Sequence, residues 1–151
     1  MKNFFAIAAL FVPLTAAIAP AIKPNNPIDL PAITIDTVTH EQVLHAIISV
    51  ESNGRDNAHR VKEDAVGCLQ IRRTMVRDVN RILRRNGSSK RYKYKDRWNR
   101  QLSIEMFDIY CKHYNLTTPE EKARCWNGGP RGLQKLSTKR YWEKVKRRLN
   151  G

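Results

Sequence analysis

Apolar residues recur at the spacing of an α-helix along most of this chain, and no stretch shows sustained alternation of apolar and polar residues. The first periodic stretch follows Thr39, which with Gln42 fits a capping box, and it ends at Asn53-Gly54. This pattern predicts a helix whose buried face has Glu51 at its edge, near the C-terminal end of the helix. The apolar face consists of Val43, Leu44, Ile47, Ile48 and Val50.

The rest of the pattern predicts further helices and one polar loop. The loop covers residues 53–67 and leaves room for a short β-hairpin near Glu51. Together these elements predict a small, mainly α-helical domain of about five to six helices. The further predicted helices are one over residues 70–85, one capped by Ser103, one that begins at Thr118 and ends at Asn127, and one over residues 138–149.

The N-terminal residues have the layout of a secretory signal peptide. Lys2 precedes an almost wholly apolar stretch from Phe4 to Val12, and small residues follow. We expect cleavage near Ala21, so that residues 1–21 are removed. The alternative is an uncleaved membrane anchor, but the apolar stretch is short for a membrane span and Pro13 interrupts it.

Prolines separate this segment from the helical part of the chain. Because proline breaks helices, we expect a linker over residues 22–38 and a single domain over residues 39–151. The prediction is therefore an exported, monomeric protein, periplasmic, extracellular or carried by a virion, without a membrane span after cleavage. The prolines of this region are Pro20, Pro24, Pro27 and Pro31.

The charge of the chain predicts an anionic partner. Lys and Arg number 28 against 14 Asp and Glu, which gives a formal net charge of +14. Nucleic acid, an acidic membrane surface and the anionic bacterial wall all fit, as does a solvated face that keeps the protein soluble. Export favours the wall.

Cysteine and histidine positions predict no metal site and no cofactor. The four His residues are scattered, and the sequence has no metal-binding cluster and no phosphate-binding glycine loop.

Export permits disulfides. Cys111 and Cys125 could form a bridge that leaves Cys68 unpaired, or all three could be small buried apolar residues; the sequence leaves both readings open.

Three short segments carry candidate chemistry: Glu51-Ser52-Asn53-Gly54, Gly67-Cys68-Leu69-Gln70-Ile71, and Ala123-Arg124-Cys125-Trp126-Asn127-Gly128-Gly129-Pro130. In this order and at these spacings they resemble the Glu-Ser, Gly-Leu-Met-Gln-Ile-like and Ala-Tyr-Asn-x-Gly motifs of the lytic transglycosylases with a goose-lysozyme-like fold. The resemblance covers roughly residues 40–145. It implies a lysozyme-like domain that cuts the glycan strands of bacterial peptidoglycan.

The resemblance implies roles for the residues of the first two motifs. Glu51 matches the catalytic acid of the family. Ser52 matches the neighbouring Ser, which helps to hold the substrate and the carboxylate. Gln70 matches the Gln that contacts the sugar, and Cys68-Leu69 replaces Leu-Met there.

The resemblance also implies substrate-binding roles near the end of the domain. Asn127 matches the Asn that lies close to the catalytic Glu. Trp126 stands where Tyr is usual and keeps an aromatic wall with different hydrogen-bonding options. Tyr141 resembles the late Tyr of a Glu-Thr-x-x-Tyr pattern, in which Ser137 replaces the Glu.

The chemistry of glycan cleavage agrees with one acidic residue of raised pKa. A carboxylic acid protonates a poor leaving group best when an apolar pocket raises its pKa. A lytic transglycosylase uses one Glu as acid and then as base, cleaving the β-1,4 bond between N-acetylmuramic acid and N-acetylglucosamine with a 1,6-anhydro product. If a nearby acid such as Asp64 positions a water, the outcome is hydrolysis by a lysozyme; Asp56 is the other nearby acid.

Two further readings come from other classes of protein. A nucleic-acid-binding module would explain the basic residues that lie in and after the second predicted helix, with Tyr92 and Tyr94 between them. A wall-binding protein that has lost its activity would share the fold, although an intact Glu51 argues against it. The basic residues are Arg72, Arg73, Arg77, Arg81, Arg84, Arg85, Lys90, Arg91, Lys93, Lys95 and Arg97.

Overall fold

The structure is a computed structural model, and it describes residues 38–151. The predicted signal peptide, and the predicted linker up to residue 37, lie outside these residues. The described part confirms a small, mainly α-helical domain with a short hairpin. None of its helices is long and apolar enough to cross a membrane. Its elements are α1 (His40–Ser52), β1 (His59–Arg60), β2 (Ala65–Val66), α2 (Arg73–Arg85), α3 (Arg100–His113), α4 (Pro119–Gly128) and α5 (Ser137–Leu149).

Helix α1 lies against both α4 and α5 and carries the predicted apolar face into the core. The capping box is present as predicted: the Thr39 side chain accepts from the backbone N–H of Gln42, and the Gln42 side chain accepts from the backbone N–H of Thr39. The helix ends at Asn53, whose left-handed conformation (φ 55°) stops the chain from continuing the helix. The C-terminal turn of α1, with Glu51, is thereby held against α5.

The hairpin of β1 and β2 is joined to the rest of the domain by Arg97. The buried Arg97 guanidinium donates to the carbonyl oxygens of Asp64 (2.7 Å), Ile71 (3.0 Å) and Tyr94 (2.8 Å). Gly67 follows β2 with φ 77°, and a Cβ at this position would lie 2.1 Å from the carbonyl oxygen of Arg97. Only glycine fits so close an approach of two backbone segments.

Two predicted helix starts are wrong, and local hydrogen bonds explain both. Residues 67–70 form a tight turn, because the backbones of Val66 and Ile71 bond to each other in both directions, so α2 begins at Arg73 rather than at residue 70. Asn99, and not Ser103, caps α3: its side chain accepts from the N–H of Leu102 at 3.0 Å. Ser103 is buried in the first turn.

The three cysteines are free and buried. Of the two alternatives that the sequence left open, the structure therefore favours three small buried apolar residues over a bridge between Cys111 and Cys125. Burial raises the pKa of the Cys111 thiol to about 12 and also raises the pKa of Cys68. A thiol that stays protonated and out of solvent reacts slowly with oxidants, because the thiolate is the reactive form.

Candidate active site

A groove of about 860 Å³ runs along one side of the domain. Its walls come from the end of α1, the hairpin, α2, the end of α4 and the start of α5, so all three motifs contribute to it. Four of the six predicted site residues line it, namely Glu51, Gln70, Trp126 and Asn127. Tyr141 does not line the groove but contacts Glu51 from α5, and Ser52 does not line the groove either.

Glu51 occupies the last turn of α1, and its side chain is only 7% exposed. The Tyr141 hydroxyl donates to Glu51 Oε1 at 2.9 Å. Arg60, on β1, donates from Nη2 to the backbone carbonyl of Glu51 at 2.9 Å, and the same nitrogen lies 3.3 Å from Glu51 Oε2. The carboxyl group therefore has one oxygen engaged by α5 and the other near a half-exposed guanidinium.

The pKa of Glu51 is raised above its usual value, and burial is the largest cause. The hydrogen bond from Tyr141 and the positive charges of Arg60 and Arg72 act in the opposite direction, while the nearby Glu63 carboxylate adds a small upward effect. Burial also keeps the pKa of the Tyr141 hydroxyl well above its ordinary value, so this group remains a donor. A carboxyl group in this environment retains a proton at a higher pH than an exposed one.

Gln70 has a fixed orientation and one unsatisfied atom. Its backbone is left-handed (φ 48°), and its amide nitrogen donates to the carbonyl oxygens of Gly67 (2.9 Å) and Ala58 (3.0 Å). With both amide protons used, Gln70 Oε1 is buried without a hydrogen-bond partner in residues 38–151. Because a buried, unpaired acceptor is costly, this oxygen is a candidate to receive a donor from a bound molecule.

Trp126 and Asn127 form the end of the groove that α4 supplies. The Trp126 indole N–H donates to the carbonyl of Leu69 at 3.3 Å, and the ring packs edge-on against Phe107 at 5.1 Å between centroids. The indole is thus fixed by the core and presents an apolar surface to the groove. Asn127 is exposed and lines the same groove.

Ser52 is placed differently from its predicted role. It is buried, and its hydroxyl donates to the carbonyl of Ile48 one turn earlier in α1, at 3.2 Å. A hydroxyl engaged inside its own helix is not directed into the groove. Within residues 38–151 the Ser52 hydroxyl makes no hydrogen bond to the Glu51 carboxyl, and Ser52 does not line the groove.

The two acids that sequence reasoning considered as partners of Glu51 are engaged elsewhere. Asp56 pairs with Arg100 at 2.9 Å, and Asp64 pairs with Arg73 at 2.6 Å. The hydrogen bond from Arg73 holds the pKa of Asp64 below its usual value. Neither residue lines the groove.

Sequence reasoning missed the groove residues that depend on the hairpin and on the orientation of α2. Arg60 and Glu63 come from the hairpin, and Glu63 forms an ion pair with Arg72. The basic character of α2 was a signal, but the sequence alone does not say which arginines face a cavity. The other charged residues along the groove are Arg77, Asp78, Arg81, Arg84 and Lys135.

Within residues 38–151, no group of three or more His, Cys, Asp or Glu side chains is arranged to hold a metal ion. Comparison with known proteins adds no assignment: no family model, no curated protein and no solved structure matches this chain.

Proposed function

We propose that this protein is an exported, monomeric lytic transglycosylase that cleaves the glycan strands of peptidoglycan, with Glu51 as its acid. The observation that carries the proposal is the Glu51 carboxyl: it is nearly buried, has a raised pKa, and lines a groove of about 860 Å³. Gln70 and Asn127, which the motif resemblance selects, line that same groove. General acid catalysis at a glycosidic oxygen needs such a group.

In the first step, Glu51 gives its proton to the oxygen that joins N-acetylmuramic acid to N-acetylglucosamine. The bond from that oxygen to C1 of the muramic acid breaks, and the acetamido group of the same sugar stabilises the positive charge at C1. Glu51 becomes a carboxylate, which Tyr141 and Arg60 stabilise. In the second step, this carboxylate removes the proton of the C6 hydroxyl, whose oxygen bonds to C1 and closes the 1,6-anhydro ring.

In this mechanism Gln70 Oε1 would bind the acetamido group of the substrate. An N-acetyl sugar presents an amide N–H, which Gln70 Oε1 would accept once a small shift of the side chain opens this buried oxygen to the groove. This contact would orient the acetamido group beside C1. It would also satisfy the one buried oxygen that lacks a partner.

Hydrolysis by a lysozyme is the second candidate, and one observation favours it. Glu63 is a second carboxylate along the groove, and it could position a water once its pairing with Arg72 is broken. A nucleic-acid-binding module would explain the basic groove, but it gives no role to a buried carboxylic acid beside Tyr141.

The mass of the released muropeptides distinguishes the two reactions. Digestion of purified sacculi is expected to yield products with 1,6-anhydromuramoyl ends, each one water lighter than the corresponding reducing end. The Glu63→Gln variant is expected to form the same anhydro products. Reducing ends, lost in Glu63→Gln, would instead establish hydrolysis, and a protein that releases no muropeptide would refute both reactions.

Tyr141→Phe is expected to change the pH dependence of cleavage. The rate falls as the pH rises through the pKa of Glu51, because the acid must be protonated. The Tyr141 hydroxyl favours the carboxylate and lowers that pKa, so its removal should move the alkaline limb of the kcat profile to higher pH.

The maximal kcat of this variant should fall about tenfold, since one hydrogen bond that orients the acid is lost. The pH profile separates this role from a packing defect, which would lower the rate at every pH alike. A limb that stays in place or moves to lower pH would contradict the assigned contact.

A further inference from the structure

Helix α2 presents a row of arginines to the groove, separate from the residues that surround Glu51. Arg77, Arg81 and Arg84 are spaced by four and three residues, which places them on one face of the helix. All three line the groove, and all three are exposed. From Arg77 to Arg84 the row extends about 10 Å along the helix axis.

The row carries more positive charge than its neighbours neutralise. Asp78 forms an ion pair with Arg81 and accepts a hydrogen bond from the Tyr114 hydroxyl at 3.2 Å. Arg77 and Arg84 form no ion pair in the described part of the chain. Along the whole groove, six cationic side chains face three carboxylates, and one of those carboxylates, Glu51, has a raised pKa.

A bound anion would relieve the repulsion within this row. Like charges close together on a helix face repel one another, and the groove keeps them near each other. Guanidinium groups bind carboxylates with two parallel hydrogen bonds, which makes Arg the residue of choice for that ligand. Because the row lines the same groove as Glu51, an anion bound by the row would lie in the groove that also holds the substrate.

We propose that Arg77 and Arg84 bind the carboxylates of the peptide stem that is attached to a muramoyl unit of the bound strand. This inference rests on the proposed function. The length of the row is close to that of one disaccharide, so it serves one muramoyl unit and its peptide. The protein would then prefer strands that still carry peptides with free carboxylates over strands from which an amidase has removed them.

The test compares strands that carry peptide stems with strands from which an amidase has removed them. The amidase hydrolyses the amide between the lactyl group and the stem, so every stem carboxylate is lost and one new lactyl carboxylate, close to the sugar, appears on each muramoyl unit. Because the stem-free strand is still anionic, a preference for stem-bearing strands reports the stem and not negative charge alone. The ratio of kcat/KM for stem-bearing over stem-free strands is expected to be about ten or more for the unmodified protein. In the Arg77→Gln/Arg84→Gln double variant this ratio should fall by about tenfold, the loss of two charge contacts.

The matched control is Arg140→Gln/Arg147→Gln, which removes the same charge from exposed positions on α5 outside the groove. This control should keep the ratio of the unmodified protein. As a second measurement, free stem peptide in excess should inhibit the unmodified protein and have less effect on the Arg77→Gln/Arg84→Gln variant.

The outcomes separate this inference from the proposed function. Equal cleavage of both substrates by the unmodified protein, or an equal fall in the control variant, overturns the inference and leaves the transglycosylase standing. Cleavage of neither substrate overturns the transglycosylase, and cosedimentation with stem-bearing and stem-free strands then decides the inference by binding alone. Tighter binding of duplex DNA than of stem-bearing strands at physiological salt assigns the row to phosphates and also overturns it.

Discussion

Replacement of Glu51 by Gln is expected to reduce the clearing of a sacculus suspension by about a thousandfold or more, because general acid and base roles are both lost. Gln has nearly the same shape as Glu and can still accept the hydrogen bond from the Tyr141 hydroxyl. The variant should therefore fold normally, and the loss should appear in kcat with little change in KM. Turbidity and muropeptide release, measured together, test this result.

Glu143→Gln is the matched control, since it makes the same change at an exposed position on α5 outside the groove. It should retain the activity of the unmodified protein. Activity of Glu51→Gln within tenfold of the unmodified protein would remove the basis of the proposed mechanism. An equal loss in both variants would show that the change in charge, and not the acid, matters.

The Arg97→Met variant is expected to lose about 3 to 5 kcal/mol of unfolding free energy. Methionine fills part of the volume but donates no hydrogen bond, so the carbonyl oxygens of Asp64, Ile71 and Tyr94 lose their buried donor. The hairpin would then be held less firmly, and with it Arg60, whose guanidinium contacts Glu51. Urea denaturation monitored by tryptophan fluorescence measures the change.

Arg91→Met provides the comparison for this stability prediction. Arg91 is exposed, and among residues 38–151 it bonds only to the nearby carbonyl oxygens of Ser88 and Lys90. Its replacement should change the unfolding free energy by less than about 0.5 kcal/mol. If Arg97→Met were as stable as Arg91→Met, the hairpin would not depend on the buried guanidinium.

The helices whose signals are local could be predicted from the sequence. Helix α1 follows from its apolar spacing and the capping box at Thr39, and α4 follows from Thr118-Pro119, a cap and a first-turn proline. These signals lie within a few residues of one another, so no tertiary contact is needed to interpret them. The position of Glu51 at the edge of the buried face was predictable for the same reason.

Features that depend on distant residues could not be predicted. The start of α2 is displaced because Val66 and Ile71 pair across a turn, and that pairing depends on the hairpin before it. The cap of α3 moved from Ser103 to Asn99 because Ser103 donates to the carbonyl of Arg97. Ser and Asn both favour the N-cap position of a helix, and only the tertiary structure decides which of the two caps α3.

The candidate site likewise contains residues that could be predicted from the sequence and residues that could not. The motif resemblance selected Gln70 and Asn127, which the structure brings to one groove with Glu51. It also selected Ser52, whose hydroxyl stays inside its own helix. The contact of Arg60 with Glu51 has no local sequence signal, because it arises when the hairpin folds over the end of α1.

The hydrogen bond between Tyr141 and Glu51 joins residues that are 90 positions apart in the chain. Closing so long a loop is entropically costly, and it is compensated only when α5 docks on α1. In a partly unfolded molecule with α5 detached, Glu51 would be solvated and would titrate like any surface carboxyl. If the proposed function is correct, cleavage activity should be lost on heating together with the undocking of the last helix, and a folding intermediate without docked α5 should leave peptidoglycan intact.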